Sequence, residues 1–290
     1  MKKILLSIIA MASLSISSQA QELPKPSPSA EIEQRIGLTD INVLYSRPGV
    51  KGRTIWGELV KFDEVWRAGA NKATMFSTSA DIKIEGKELP KGDYSLFIIP
   101  AKEGDWTVIF NKETELWGAG DYKKEQDQLR VIAKMSKSSE MVERLEYRFM
   151  SVDDKSGQLV LDWENARLSM QIEADPSKQA IENINLAISE SKEEDKWKVY
   201  RSAAAFARDN ENMTKEGLEW IKKSTELKAD NWYSFWVYAD LHALNMDYKS
   251  AILMAEKSIK LGQEGAKADD SEFSYQSRIQ TDIDEWKSMK

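Results

Sequence analysis

Apolar and charged residues alternate with a period of two over most of residues 31–172. In Leu145-Glu146-Tyr147-Arg148-Phe149 the odd positions are apolar and the even ones charged. Leu159, Leu161 and Trp163 repeat the pattern, and Leu168, Met170 and Ile172 resume it after a predicted turn at Glu164-Asn165. Trp106, Val108 and Phe110 alternate likewise, as do Leu129, Val131, Ala133 and Met135. Successive side chains on a strand point to opposite faces, so each run predicts a strand with one face buried and one wet. Turn residues separate them at Glu85-Gly86-Lys87, Pro90-Lys91-Gly92-Asp93, Glu103-Gly104-Asp105 and Asp153-Asp154-Lys155-Ser156-Gly157. About eight to ten short strands at this spacing predict an all-β antiparallel sandwich over residues 30–175.

The period changes after Asp175-Pro176, which reads as a helix start. Apolar residues now recur three and four apart, as in Ile181, Ile184, Ala187 and Ile188, then Leu218, Ile221 and Leu227. At an offset of 34 residues the segment matches itself: Lys223-Ser224 recurs as Lys257-Ser258, Leu227 as Leu261, Leu218 as Ile252 and Ala205 as Ala239. Thirty-four is the tetratricopeptide period. The second copy resembles that family through Phe235, Trp236, Tyr238-Ala239, Asp247-Tyr248, Ala251, Ala255 and Leu261. Gly217 and a missing closing proline depart from the pattern. The expectation is an all-α helical-repeat domain, tetratricopeptide-like, over residues 176–290, with capping helices near 177–191 and 271–288.

The N-terminus changes the picture of where such a protein works. Lys2 and Lys3, an apolar run from Ile4 to Ile16, and Ser18-Gln19-Ala20 predict a cleavable signal peptide over residues 1–20. Pro24, Pro26 and Pro28 mark residues 21–29 as an extended tether. Export, to the periplasm or beyond, is the expected localisation, with no transmembrane segment after cleavage. The whole chain of 290 residues carries a net charge of −7, and loss of two lysines with the leader takes this to −9. An acidic chain is a poor nucleic-acid binder, so no nucleic-acid partner is expected. The absence of cysteine excludes disulfides, thiol catalysis and thiolate metal sites, and a single histidine, His242, argues against His-based triads. No catalytic residue, cofactor or metal site is expected.

Candidate chemistry gathers between Tyr45 and Thr74, where alternation is weak and a long ordered excursion is predicted. Arg47, Lys51, Arg53 and Arg67 concentrate positive charge there within an acidic protein. The planar fork of arginine suits carboxylates and phosphates, so these residues point to an anionic ligand. Trp66 offers a surface for a sugar ring or guanidinium, and Asn71 a group to orient a ligand. The competing structural reading has the arginines bonding nearby carbonyls and carboxylates, and the tryptophans in the core. Trp106 alternates with Val108 and Phe110 and is expected in the core, whereas Trp117 lies outside any alternating run and is the better ligand candidate. The candidate ligand-binding set is Tyr45, Arg47, Lys51, Arg53, Trp66, Arg67, Asn71 and Trp117.

The segments Tyr45-Ser46-Arg47-Pro48, Lys51-Gly52-Arg53, Trp66-Arg67-Ala68-Gly69-Ala70-Asn71, Gly92 to Pro100, Trp106 to Asn111 and Trp117-Gly118 stand in an order that resembles a secreted bacterial family. That family is the domain of unknown function numbered 2911, and the resemblance covers residues 30–172. Ala68 stands where the family form has Thr. The resemblance implies a domain but no activity. The functional expectation is a non-catalytic binding module of the cell envelope. It would hold an anionic or glycan ligand on the β domain and an envelope protein partner through residues 176–290. The alternatives are an envelope hydrolase acting on glycan or peptide, and a structural or assembly factor working through the helical tail.

Overall fold

The computed structural model describes residues 23–210 and 213–289. The signal peptide expected at residues 1–20 lies outside the described residues. Chain contacts separate two compact units, one holding Asp40–Glu173 and the other Ala174–Lys290.

The β unit contains nine strands: β1 Ser29–Ile36, β2 Thr39–Ser46, β3 Thr74–Thr78, β4 Ile82–Ile84, β5 Lys87–Leu89, β6 Gly92–Ile99, β7 Trp106–Asn111, β8 Asp127–Met150 and β9 Ser156–Glu173. They form one antiparallel sheet in the order β1-β2-β3-β6-β7-β8-β9-β4-β5. The sheet makes a sandwich by bending within its longest strands. Residues 127–133 of β8 pair with β7, and residues 134–150 pair with β9. Chain following β2 then returns to the second half of β8. Gly49 bridges Arg144, and the Val50 and Leu145 amides donate to the Glu143 and Pro48 carbonyls at 2.8 and 3.0 Å.

Two of the strands are far longer than the short ones expected, and β9 accounts for one difference. Glu164-Asn165 is not a turn between strands; β9 runs through it. Glu164 has φ of 53°; residues 159–163 before it are all buried, Val160 and Asp162 included, whereas after it only alternate residues (Ala166, Leu168, Met170) are. The register against β8 shifts here, from Lys137↔Ala166 through Val142↔Glu164 to Glu146↔Asp162, with the extra residues on β8; such a bulge bends a strand pair without ending it.

The alternating apolar residues fill the interior. Trp106, Trp163, Phe76, Phe110, Leu96 and Ile98 are all fully buried. Trp106 thus occupies the core position its alternation predicted. Trp56 meets Trp66, Trp106 and Trp163 with ring centroids 5.7, 4.6 and 5.7 Å apart. A smaller apolar cluster joins Phe97 of β6 and Ile109 of β7 to Ala73 and Leu116, with Tyr122 and Ala119 against it. The chain between β7 and β8 is therefore held onto the sheet by its own apolar side chains rather than hanging free.

The helical unit contains six helices: α1 Ser177–Glu190, α2 Lys196–Arg208, α3 Thr214–Leu227, α4 Trp232–Leu244, α5 Tyr248–Ala268 and α6 Gln276–Ser288. The 34-residue offset has a structural counterpart. Buried Ser224 on α3 donates to the Trp197 carbonyl at 2.9 Å, and buried Ser258 on α5 donates to the Trp232 carbonyl at 2.8 Å. Each buried hydroxyl finds its own partner by donating to a carbonyl in the first turn of the preceding helix, as buried polar groups must. Gly217 explains its own smallness: a Cβ there would lie 2.8 Å from the Ala207 Cβ and the Leu241 Cδ2, so α3 approaches α2 and α4 only without one. Among the described residues no helix is long and apolar enough to cross a membrane.

Candidate functional site

The excursion between β2 and β3 carries no named strand, as its weak alternation predicts, yet it is held firmly. Tyr45 is buried, accepts a hydrogen bond at its hydroxyl from the Tyr147 amide at 3.1 Å, and packs edge-on against the Tyr147 ring at 4.9 Å. Arg47 donates from Nε to the Leu145 carbonyl at 2.9 Å and from Nη2 to Glu146 at 3.1 Å. Arg53 donates to the Val50 and Gly49 carbonyls. Lys51 holds its backbone amide on Glu143 at 3.0 Å and leaves its side chain exposed. Trp66 is 9% exposed, with its ring stacked on Trp163 at 5.7 Å and 18°.

These placements give much of the candidate set partners within the fold. Tyr45 and Trp66 have no face to offer a ligand, because burial of their large rings is what fills the core. Arg47 and Arg53 have carbonyls and a carboxylate as partners, so their forks are already engaged. Lys51 stands apart from the cleft described below. Residue type along the chain signalled charge and aromatic surface, but the partners of Tyr45, Arg47 and Lys51 come from β8, about a hundred residues away, and that of Trp66 from β9.

Asn71, Arg67 and Trp117 have different surroundings. Asn71, at φ of 61°, donates from Nδ2 to the Ser27 carbonyl at 3.3 Å and to the Ser46 hydroxyl at 3.2 Å. It thereby fastens the proline-rich tether. The Arg47 amide, donating to the Pro28 carbonyl at 2.8 Å, and the Arg144 guanidinium, donating to the Pro26 carbonyl at 3.3 Å, hold neighbouring residues of the tether. Docked in this way, the tether forms one side of a cleft of about 440 Å³, lined by Lys25, Pro26, Ser27, Ser29, Ser46, Asn71, Lys72 and Trp117. Trp117 is 75% exposed.

Trp117 sits on the segment between β7 and β8, and a polar network anchors that segment behind it. Asn111, fully buried at the end of β7, donates to the Lys123 carbonyl at 3.0 Å and to Asp127 at 2.8 Å. The Tyr122 hydroxyl donates to Asp127 at 2.7 Å, and Arg130 donates to Asp127 at 2.6 Å. Burial, reinforced by the bond to Asp127, pushes the Tyr122 phenol up to about 12, so it remains a donor at neutral pH. Lys72 meets Glu115 of the same segment at 3.0 Å. An exposed tryptophan on a segment pinned at both ends offers a rigid stacking surface at little entropic cost.

Arg67 does not line the cleft. Its guanidinium lies against the glycine next to Trp117, where a Cβ on Gly118 would be 3.9 Å from Nη1. Gly118 has φ of 99°, a conformation that side chains resist, so glycine is needed there for the turn itself. Arg67 is half-buried, its Nε is shut off from solvent and has no hydrogen-bond partner. Burial draws its pKa down from the ordinary arginine value. Lys25, Ser27, Ser29, Ser46 and Lys72 were not singled out from the sequence. Spacing gives no sign that the tether docks, since Asn71 reaches it across 44 residues.

Sandwich, edge cleft and helical tail define a β protein with a small polar recess formed by its own N-terminal tether. A family model described as "Protein of unknown function (DUF2911)" matches residues 27–172, and the chain belongs to that family. The matched span begins at Ser27, within the tether that lines the cleft. No curated protein matches the chain.

Proposed function

We propose that this is an exported envelope protein whose β unit is a non-catalytic binding module, with the cleft beside Trp117 taking a small sugar-like ligand. The observation that carries the reading is the exposed Trp117 at a cleft of about 440 Å³ otherwise lined by three serines, an amide, two lysines and Pro26. That volume falls within the range of small-molecule sites, and one aromatic face with a few polar groups is the chemistry that holds a sugar ring. The helical unit, read as tetratricopeptide-like, holds an envelope protein partner or braces the protein.

Ligand titration followed by calorimetry and tryptophan emission tests the reading, with Trp117→Ala as the control because the chain has ten tryptophans. Mono- and disaccharides of envelope type are expected to bind the intact chain, and Trp117→Ala to remove binding while the melting temperature stays close to wild type. Saccharide binding that survives Trp117→Ala would place the ligand elsewhere. Export rests on residues 1–20, and N-terminal sequencing of the mature chain is expected to begin at Gln21.

A further inference from the structure

Ten of the eleven arginines have a partner among the described residues: a carboxylate for Arg35, Arg47, Arg130, Arg148, Arg167 and Arg208, backbone carbonyls for Arg53 and Arg144, and an aromatic ring for Arg201 and Arg278. Arg67 is the exception, its side chain making no hydrogen bond, ion pair or ring contact among the described residues, although its Nε is shut off from solvent. A half-buried cation without a counter-charge is unfavourable, and folds retain such groups where a ligand completes them. The neighbouring cleft contributes two lysines and no carboxylate to its lining, in a chain with net charge −7.

We infer that Arg67 is the receptor for an oxyanion, a carboxylate or phosphate carried by the ligand of the adjacent cleft. The assignment of that ligand to the cleft rests on the function proposed above; the anion preference of Arg67 does not. A guanidinium presents parallel N–H groups that match two oxygens of one carboxylate or phosphate. Gly118 lies against the guanidinium, and the Trp117 indole is the next residue back along the chain. A sugar stacked on Trp117 with an acidic substituent directed toward Gly118 would engage both.

The test uses the intact chain, Arg67→Gln and Arg67→Lys. Calorimetry with glucose, glucuronate and glucose 6-phosphate compares one ring bearing a neutral, a carboxylate and a phosphate group. Thermal melts with inorganic phosphate, acetate or chloride at matched ionic strength read the anion alone. The expected result is that at least one charged sugar binds roughly tenfold or more tightly than glucose, since hydrogen bonds to charged groups are the strong ones. Arg67→Gln should abolish that preference and Arg67→Lys should keep part of it. Phosphate or acetate should raise the melting temperature of wild type above that in chloride, and leave Arg67→Gln unmoved.

An anion preference that persists in Arg67→Gln overturns the assignment, as does wild-type behaviour that is identical in all three salts and with all three sugars. A lower melting temperature for Arg67→Gln in chloride alone assigns the side chain to the fold and overturns it as well. Sugars that do not bind, with a phosphate or acetate shift that disappears in Arg67→Gln, leave the Arg67 receptor standing and remove the glycan cleft. Sugars that bind equally well to wild type and Arg67→Gln, without preference among them, do the reverse.

Discussion

Arg47 and Arg67 belong to the same excursion, twenty residues apart, and read alike in sequence as cations beside aromatic residues. Arg47 reaches β8, where the Leu145 carbonyl and Glu146 receive its fork. Arg67 reaches the segment after β7 and finds a glycine backbone there. The first arginine fastens loop to sheet, and the second is left with unmet donors beside an exposed indole. Clustered positive charge is therefore two populations, and the difference between them is what each cation meets rather than how many there are.

Arginines that have partners should be costly to strand, and the largest effect is expected at Asp162. This carboxylate is fully buried and receives Arg148 at 2.6 Å and Arg167 at 2.7 Å. Asp162→Ala leaves both guanidinium groups without it, and a loss of about 3–5 kcal/mol in urea unfolding is expected. An effect below about 1 kcal/mol would mean the arginines find water instead, as at exposed ion pairs.

A carboxylate in the helical unit provides the counterpart to Arg67. Asp240 lies 3.3 Å from Arg208, yet burial outweighs the pair and raises its pKa from 3.8 to about 6. The folded state then holds the proton more tightly than the unfolded chain. Stability attributable to Asp240 is full below 3.8, falls as pH rises through about 6, and is constant above. Asp240→Asn should flatten this slope, which amounts to about 1–3 kcal/mol. Denaturant melts between pH 4 and pH 7 measure it, and an unchanged slope in the variant would assign the effect to another group.

Arg47→Ala comes next, with a loss of about 1–2 kcal/mol from the stranded Leu145 carbonyl and Glu146. Arg67→Gln is expected to have the smallest effect, within about 0.5 kcal/mol of wild type, because no protein partner is lost. Equal losses for these two variants in the same urea series would erase the distinction between them.

The period-two runs are legible because a strand with one wet face must alternate; Trp106, Leu145 and Trp163 all lie where that rule puts them. What escaped the rule was continuity. The break in alternation at Glu164 looks like a turn, and only the bonds across to β8 show that the strand continues through it. The helical offset was legible from Ser224 and Ser258 because both hydroxyls meet the same local need one repeat apart. Trp117 stood out by not alternating. Lys25 and Ser27 gave no signal, because their place depends on Asn71 and Arg144, which sequence distance conceals.

The changeover of β8 from one partner strand to the next has a consequence for kinetics. A strand of 24 residues that pairs with β7 over residues 127–133 and with β9 from residue 134 onward ties the two parts of the sandwich together through one continuous chain, with register shifts only between Lys137 and Glu146. The paired strands should exchange their amide hydrogens as a single cooperative block. On the binding function proposed above, a ligand would meet a recess whose floor is already formed.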